Sequence, residues 1–148
     1  MRLNSVVKGT KKNLEEVNDE AFAAKMMGDG VAIMPSDGVI VAPADGTVLA
    51  IFPTNHAIGM KLDNDIEVLI HVGIDTVEMK GKGFKGYVSQ NESVKKGDKL
   101  IKFNIHKIIA SGYEPDVMVI ITNSSNYHRI EKTNADILHT NDWILDVE

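Results

Sequence analysis

Apolar and polar positions along this chain fall into short runs set apart by glycines. The apolar-rich runs are Val31–Met34, Val39–Ala42, Thr47–Phe52, Ile58–Leu62, Glu67–Val72, Lys85–Val88, Lys99–Phe103 and Val117–Thr122. Gly30, Gly38, Gly46, Gly73, Gly81, Gly83, Gly86 and Gly97 punctuate them, with Lys and Asp in the turns. Val, Ile and Thr fill the runs, so the pattern predicts the strands of a sandwich or barrel. In Glu67–Val72 the alternation puts Leu69 and His71 on one face and Val68, Ile70 and Val72 on the other. Two short helices interrupt the strands. One runs from about Asp19 to Met27, opened by Asn18 or Asp19 and closed by Gly28, with Phe22 and Met26 on one buried face. The second starts at Asn104 and stops near Gly112, with Ile105, Ile108 and Ile109 inward. The expected fold class is therefore all-β with one or two short helices.

Turn chemistry adds a register. Leu62-Asp63-Asn64-Asp65 is a strong turn signal between Ile58–Leu62 and Glu67–Val72. With Asp63-Asn64 as a two-residue loop, or Leu62–Asp65 as a four-residue one, His56 falls directly opposite His71. A three-residue loop breaks that pairing. Two adjacent imidazoles are not both protonated cheaply, so one stays neutral near pH 7, as a nucleophile or a metal ligand. Pro43–Val48 and Val94–Leu100 form a faint internal echo, each a tight turn leading into an apolar strand.

Composition narrows the class. The chain has 148 residues, 43% hydrophobic and 25% charged, which suits one globular domain over 1–148 and excludes general disorder. It contains no cysteine, which removes disulfides, thiolate zinc sites and a cysteine nucleophile together. Nothing near Met1 resembles a signal peptide and no run is long enough to span a bilayer, so a soluble, cytoplasmic protein is expected without membrane insertion. A net charge of -5 argues against nucleic acid and leaves a basic protein as a plausible partner. Lys11-Lys12 and Lys95-Lys96 read as solvated turn charges. His106, His128 and His139 read as solvated or structural, and Trp143 as packing for the last strand.

A family resemblance runs through these features. Gly28–Ile33, Val41–Val48, Phe52–Ala57 and Ile70–Val77 resemble, in order, the glucose-family enzyme IIA component of the bacterial sugar phosphotransferase system. Lys80–Phe84 and Val94–Asp98 continue the likeness, which covers roughly Glu15 to Asn123. The resemblance implies a β-sandwich of the duplicated hybrid (barrel-sandwich) type and a phosphohistidine intermediate, with no cofactor. It implies that His71 accepts the phosphoryl group through Nε2 from the phosphocarrier protein HPr and passes it to the enzyme IIB domain of a membrane sugar permease. It further implies that His56 hydrogen-bonds the phosphoryl group, that Thr54 orients His56, and that Asp75 at the rim meets the basic side of HPr. Gly73 would let a backbone amide approach the phosphoryl oxygens. Phe22, Phe52, Leu69 and Val72 would complete an apolar docking face that excludes water.

There are departures from the family pattern. Val6–Thr10 replaces a small-Pro-x-Ser-Gly turn, Leu69 and Val72 stand where aromatic residues flank the acceptor, and the chain from Ser124 is polar. Three rival readings compete: a zinc hydrolase of the same hybrid-motif architecture, a biotin or lipoyl carrier, and a binding or regulatory module that uses the same surface without turnover and overlaps with the main reading. A zinc hydrolase needs a His-x-His pair with further ligands, but Gly73 lies two residues after His71. A biotin or lipoyl carrier would use Met79-Lys80, which lacks the flanking residues of that pattern and leaves the histidines without a purpose.

Overall fold

The computed structural model describes residues 1–148. In chain order the strands begin with β1 (Arg2–Asn4), β2 (Gly9–Asn13), β3 (Asp29–Pro35), β4 (Val39–Val41) and β5 (Gly46–Ile51). They continue with β6 (Ala57–Leu62), β7 (Glu67–Val72), β8 (Phe84–Gly86), β9 (Ser93–Val94) and β10 (Lys99–Phe103). The last are β11 (Val117–Ile121), β12 (Ile130–Lys132), β13 (Ile137–Leu138) and β14 (Trp143–Val147). Two helices, α1 (Glu20–Ala23) and α2 (Ile105–Ala110), and three 3-10 turns complete the fold.

An antiparallel sheet in the order β13-β2-β3-β11-β7-β6-β5-β9 forms one large layer. Two three-stranded sheets, β1-β14-β12 and β4-β10-β8, supply the other walls. Between them lies a core of 29 buried residues. It takes Val68, Ile70 and Val72 from β7, Val117, Val119 and Ile121 from β11, and Ile40, Leu100 and Phe103 from the opposing sheet. The expected all-β sandwich is the fold observed. The two echoing turns meet: Lys96 N–H donates to Asp45 Oδ1 (2.8 Å), Ala42 N–H donates to Asp98 O and Gly97 N–H donates to Ala42 O (2.9 Å each).

The large sheet also carries a second, smaller core on its outer face. Leu14, Val17, Phe22, Ala32, Ile74, Met118 and Ile120 form it, with Leu69 against its edge. This explains the unbroken apolar run of β11, whose five residues are all buried because both faces are covered.

The helices are shorter than the pattern predicts. In α1, Asp19 Oδ1 accepts from the amides of Ala21 (3.0 Å) and Phe22 (3.3 Å), as an N-cap should. The helix ends at Ala24 because Lys25 turns left-handed (φ 59°), with Met26 N–H reaching Ala21 O and Lys25 N–H reaching Phe22 O (3.0 Å each). That is a Schellman closure with lysine in the usual glycine position. Met26 is thereby thrown outward, 75% exposed rather than buried beside Phe22. In α2, Asn104 caps the helix and Ile108 is buried, but Ile109 points to solvent.

Lys11 and Lys12 are not turn residues. They lie on β2, where Lys11 Nζ donates to Thr133 O (2.7 Å) and Lys12 Nζ to Asp116 (2.9 Å). Lys95 and Lys96 do sit in an exposed turn. The polar C-terminal segment forms β12 to β14, and Trp143 packs at the start of the last strand under Arg2, whose guanidinium lies 4.6 Å from the ring centroid.

Candidate functional site

His71 stands near the end of β7, on the outer face of the large sheet, between Ala57 of β6 and Met118 of β11. The register differs from the two-residue-loop expectation. The β6–β7 turn uses three residues, Asp63 to Asp65: Asp65 N–H bonds Leu62 O (2.9 Å), Leu62 N–H bonds Ile66 O (2.8 Å), and Asp65 is left-handed (φ 70°). This is the type I turn plus left-handed residue of three-residue hairpins, and aspartate tolerates the required φ. The ladder therefore slips by one, so Ala57 faces His71, and Val72 N–H donates to His56 O (2.7 Å).

The two imidazoles meet all the same, with centroids 5.0 Å apart and planes at 79°. Strict alternation would send His56 to the inner face. Asn55 just before it is left-handed (φ 58°), closing a tight turn onto Phe52 O (2.7 Å). The pleat is broken there, and the His56 ring turns back towards His71 beside the small side chain of Ala57.

Four rings lie in sequence, each edge-on to the next. Phe52 sits 5.3 Å from His56, His56 5.0 Å from His71, and His71 5.1 Å from Phe22. His56 is 3% exposed and its Nδ1 is hydrogen-bonded to Thr54 Oγ1. His71 Nδ1 lies 2.9 Å from Gly73 O. A carbonyl only accepts, so Nδ1 carries the proton and Nε2 keeps its lone pair. Burial, then the neighbouring His56, lowers the His71 pKa to about 4, against smaller opposing effects of Gly73, Asp19 and Asp75. Burial also lowers that of His56. Near neutral pH both rings are neutral.

Gly73 acts differently from the expectation. Its amide donates to Asp116 O (2.7 Å) and is committed, as is Ile74 N–H to Glu114 O (3.0 Å). Glycine is required because φ is +81° and a Cβ would fall 2.2 Å from Thr76 Cγ2. Thr76 is fully buried, and its hydroxyl donates to Val72 O, closing the loop. Asp75 immediately precedes the following 3-10 turn in a left-handed conformation (φ 60°) and is exposed.

A depression of about 290 Å³ opens over His71, lined by Asp19, Phe22, Met27, Phe52, Leu69, Asp75 and Val77 among others. Phe52, Val77 and Met27 form an exposed apolar rim. Phe22 is buried, and Leu69 is half-buried. Val72 does not belong to this surface: its side chain is 0% exposed in the main core, on the opposite face of β7. Asp19, Met27 and Val77 are additions. The cap position of Asp19, three residues ahead of Phe22, is the signal that points to it. His106, His128 and His139 are exposed and stand apart from the pair. No three His, Asp or Glu side chains group into a metal-binding set. Lys80 closes a 3-10 turn rather than a hairpin tip.

Residues 1–127 match the family described as phosphoenolpyruvate-dependent sugar phosphotransferase system, EIIA 1. A glucose-specific EIIA component of Bacillus cereus is 48% identical over 125 residues, covering 84% of this chain and 76% of that protein. A beta-glucoside-specific EIIBCA component of Halalkalibacterium halodurans is 39% identical over 145 residues, covering 98% of this chain and 23% of that one. Among solved structures, the glucose permease IIA from Mycoplasma capricolum superposes with a TM-score of 0.92 at 32% identity, covering 98% of this chain and 94% of that one.

Proposed function

Since this chain belongs to the EIIA 1 family of the phosphoenolpyruvate-dependent sugar phosphotransferase system, we propose that Nε2 of His71 is the atom on which it carries phosphate. EIIA components are phosphoryl carriers, taking the group from HPr and delivering it to EIIB, and the EIIBCA relative has both domains in one chain. The observation that supports His71 is the Nδ1–H bond to the Gly73 carbonyl (2.9 Å), which leaves a neutral Nε2 lone pair at the wall of the depression.

Phosphoryl transfer passes through a loose, in-line transition state, so the protein's task is positioning and charge stabilisation. The His71 lone pair forms the new N–P bond as the N–P bond to the donor imidazole of HPr breaks. The Thr54 hydroxyl bonded to His56 Nδ1 supports the tautomer with the His56 proton on Nε2, where it can bond a phosphoryl oxygen. Phe22 and Phe52 hold water away from a hydrolysable phosphoramidate. Asp19 and Asp75 place negative charge at the depression, suited to a basic face on HPr. The relatives bear different sugar names, as fits a domain that meets proteins and never holds the sugar. No helix is long and apolar enough to cross a membrane. We place the reaction in the cytoplasm.

Incubation with phosphoenolpyruvate, enzyme I and HPr tests the assignment by intact mass. One acid-labile phosphate is expected on the parent and none on His71→Gln. A His71→Gln protein that still gains phosphate overturns it.

A further inference from the structure

A buried ion pair lies behind the loop that orients His71. Asp116 immediately precedes β11, and its side chain is 1% exposed. Its Oδ2 accepts from Lys12 Nζ at 2.9 Å, and its Oδ1 is buried without any partner. The carboxylate's whole charge balance therefore rests on one lysine.

The same residue holds the active-site loop. Asp116 O accepts from Gly73 N–H (2.7 Å), and Gly73 O accepts from His71 Nδ1–H (2.9 Å). Two hydrogen bonds thus join Asp116 to the reacting ring. Glu114, two residues earlier, receives Ile74 N–H on its carbonyl (3.0 Å) and Asn18 Nδ2 on its carboxylate (2.7 Å). Asn18 adjoins Asp19, which caps the helix that presents Phe22 to His71. Segment Glu114–Asp116 is a bracket tied to both sides of the site.

Lys12 reaches this bracket along a row of the sheet. Lys12, Ala32, Met118, His71 and Ala57 are consecutive cross-strand partners, so all five share the outer face. Ala32, with its single methyl group, leaves a path for the lysine stem to cross β3. Asp116 is two residues before Met118, on the same face at the diagonal position.

A buried pair of this kind is a poor source of stability, because desolvation offsets the attraction and an apolar pair often does as well. An unpartnered buried oxygen adds to the cost. A use other than stability is the better account, and the hydrogen-bond path supplies one. We propose that Lys12 and Asp116 are positioning residues for phosphoryl transfer, their ion pair fixing residue Gly73, whose N–H bonds Asp116 O and whose carbonyl keeps the His71 proton on Nδ1. The proposal rests on His71 being the acceptor.

The test combines ring nitrogen-15 NMR of His71 with transfer kinetics from phospho-HPr, in Lys12→Arg, Lys12→Met and Asp116→Asn. Lys12→Met and Asp116→Asn should reveal the second His71 tautomer and lower kcat about tenfold, with KM for phospho-HPr unchanged, as expected for a displaced nucleophile. Lys12→Arg should behave as the parent. Should Lys12→Met not fold, the double variant Lys12→Met/Asp116→Asn removes the unpaired charge and takes its place. Folded variants with lower melting temperature but the parent's tautomer and kcat would show a purely structural pair and overturn the proposal. A parent that takes no phosphate overturns the His71 reading instead, and the ring spectrum, which needs no transfer, still judges the pair.

Discussion

The two faces of β7 do different work with alternate residues of one strand. On the inner face Val68, Ile70 and Val72 are at most 1% exposed and join the 29-residue core. On the outer face Leu69 and His71 are half-buried, beside a cluster of only seven residues. The inner face is where apolar burial accumulates; the outer face is dry enough to keep an imidazole neutral, yet open enough for a partner. Rigidity on one side is what lets the other hold the proposed nucleophile, His71, still.

Exchanging the faces' substitutions gives the largest contrast. His71→Gln should abolish phosphate uptake completely, read as intact mass, with little change in melting temperature. Ile70→Ala, one residue away, should do the reverse. Loss of a fully buried isoleucine side chain costs about 2–5 kcal/mol, read by denaturant titration, while the folded fraction still takes phosphate. If Ile70→Ala lost uptake in proportion to His71→Gln, the division between faces would fail.

Next comes a change confined to the outer face. His56→Gln keeps a hydrogen-bonding side chain but loses the imidazole held by Thr54. Phosphate should still reach His71, while onward transfer to EIIB slows by about a hundredfold or more, the range of a lost proton-donating group. Rapid-quench assays of the two half-reactions separate these steps. Equal slowing of both would mean that His56 serves uptake and delivery alike.

How much of this contrast is legible in the sequence depends on the kind of information needed. The alternation in Glu67–Val72 assigns every side chain of β7 to its observed face, and that parity already places Val72 with the core. Its nearness to His71 in sequence is what misleads. The β6–β7 turn is a different case. Leu62-Asp63-Asn64-Asp65-Ile66 suits loops of two, three or four residues, and the outcome hangs on Asp65 adopting φ 70°, a choice composition does not make. The His56 register is lost there, and the broken pleat at Asn55 restores the proximity by a route no pattern predicts. Lys25 ends α1 in place of a glycine, so Gly28 marks the wrong boundary. The Lys12–Asp116 pair is invisible for a further reason: Gly9–Asn13 has no apolar alternation, and a strand held by neighbours on both edges needs none.

The pH dependence follows from the outer face alone. The folded-state pKa of His71, about 4, lies below its unfolded value of 6.5, so the unfolded chain binds more protons between those values. Stability present above pH 6.5 should fall as pH drops towards 4, then level off, by about 3–4 kcal/mol from this residue. His71→Gln should make that part of the profile shallower, leaving the share of His56, whose pKa burial also lowers, and Ile70→Ala should lower the whole curve without changing its shape. A parent curve with no slope between pH 6.5 and 4 would mean that His71 is better hydrated than its burial implies.

The smallest expected effect tests what keeps the outer face dry. Phe22 joins the seven-residue cluster, and its ring centroid lies 5.1 Å from that of His71, with the planes at 61°. Phe22→Leu preserves an apolar side chain among Leu14, Val17 and Met118, so the stability cost should stay near 1 kcal/mol. The aromatic ring is lost, however, and water gains access to one side of the imidazole. Burial is the largest cause of the lowered His71 pKa, so this variant should raise it towards the ordinary histidine value. The His56 ring still flanks the other side, which is why the rise should be partial. A proton NMR titration of the His71 ring reads it directly. The phosphoramidate should hydrolyse somewhat faster in the same protein, because the excluded water is the attacking species. An unchanged pKa with unchanged hydrolysis would assign the dryness to Leu69 and Phe52, and would reduce Phe22 to a core residue that happens to touch the site.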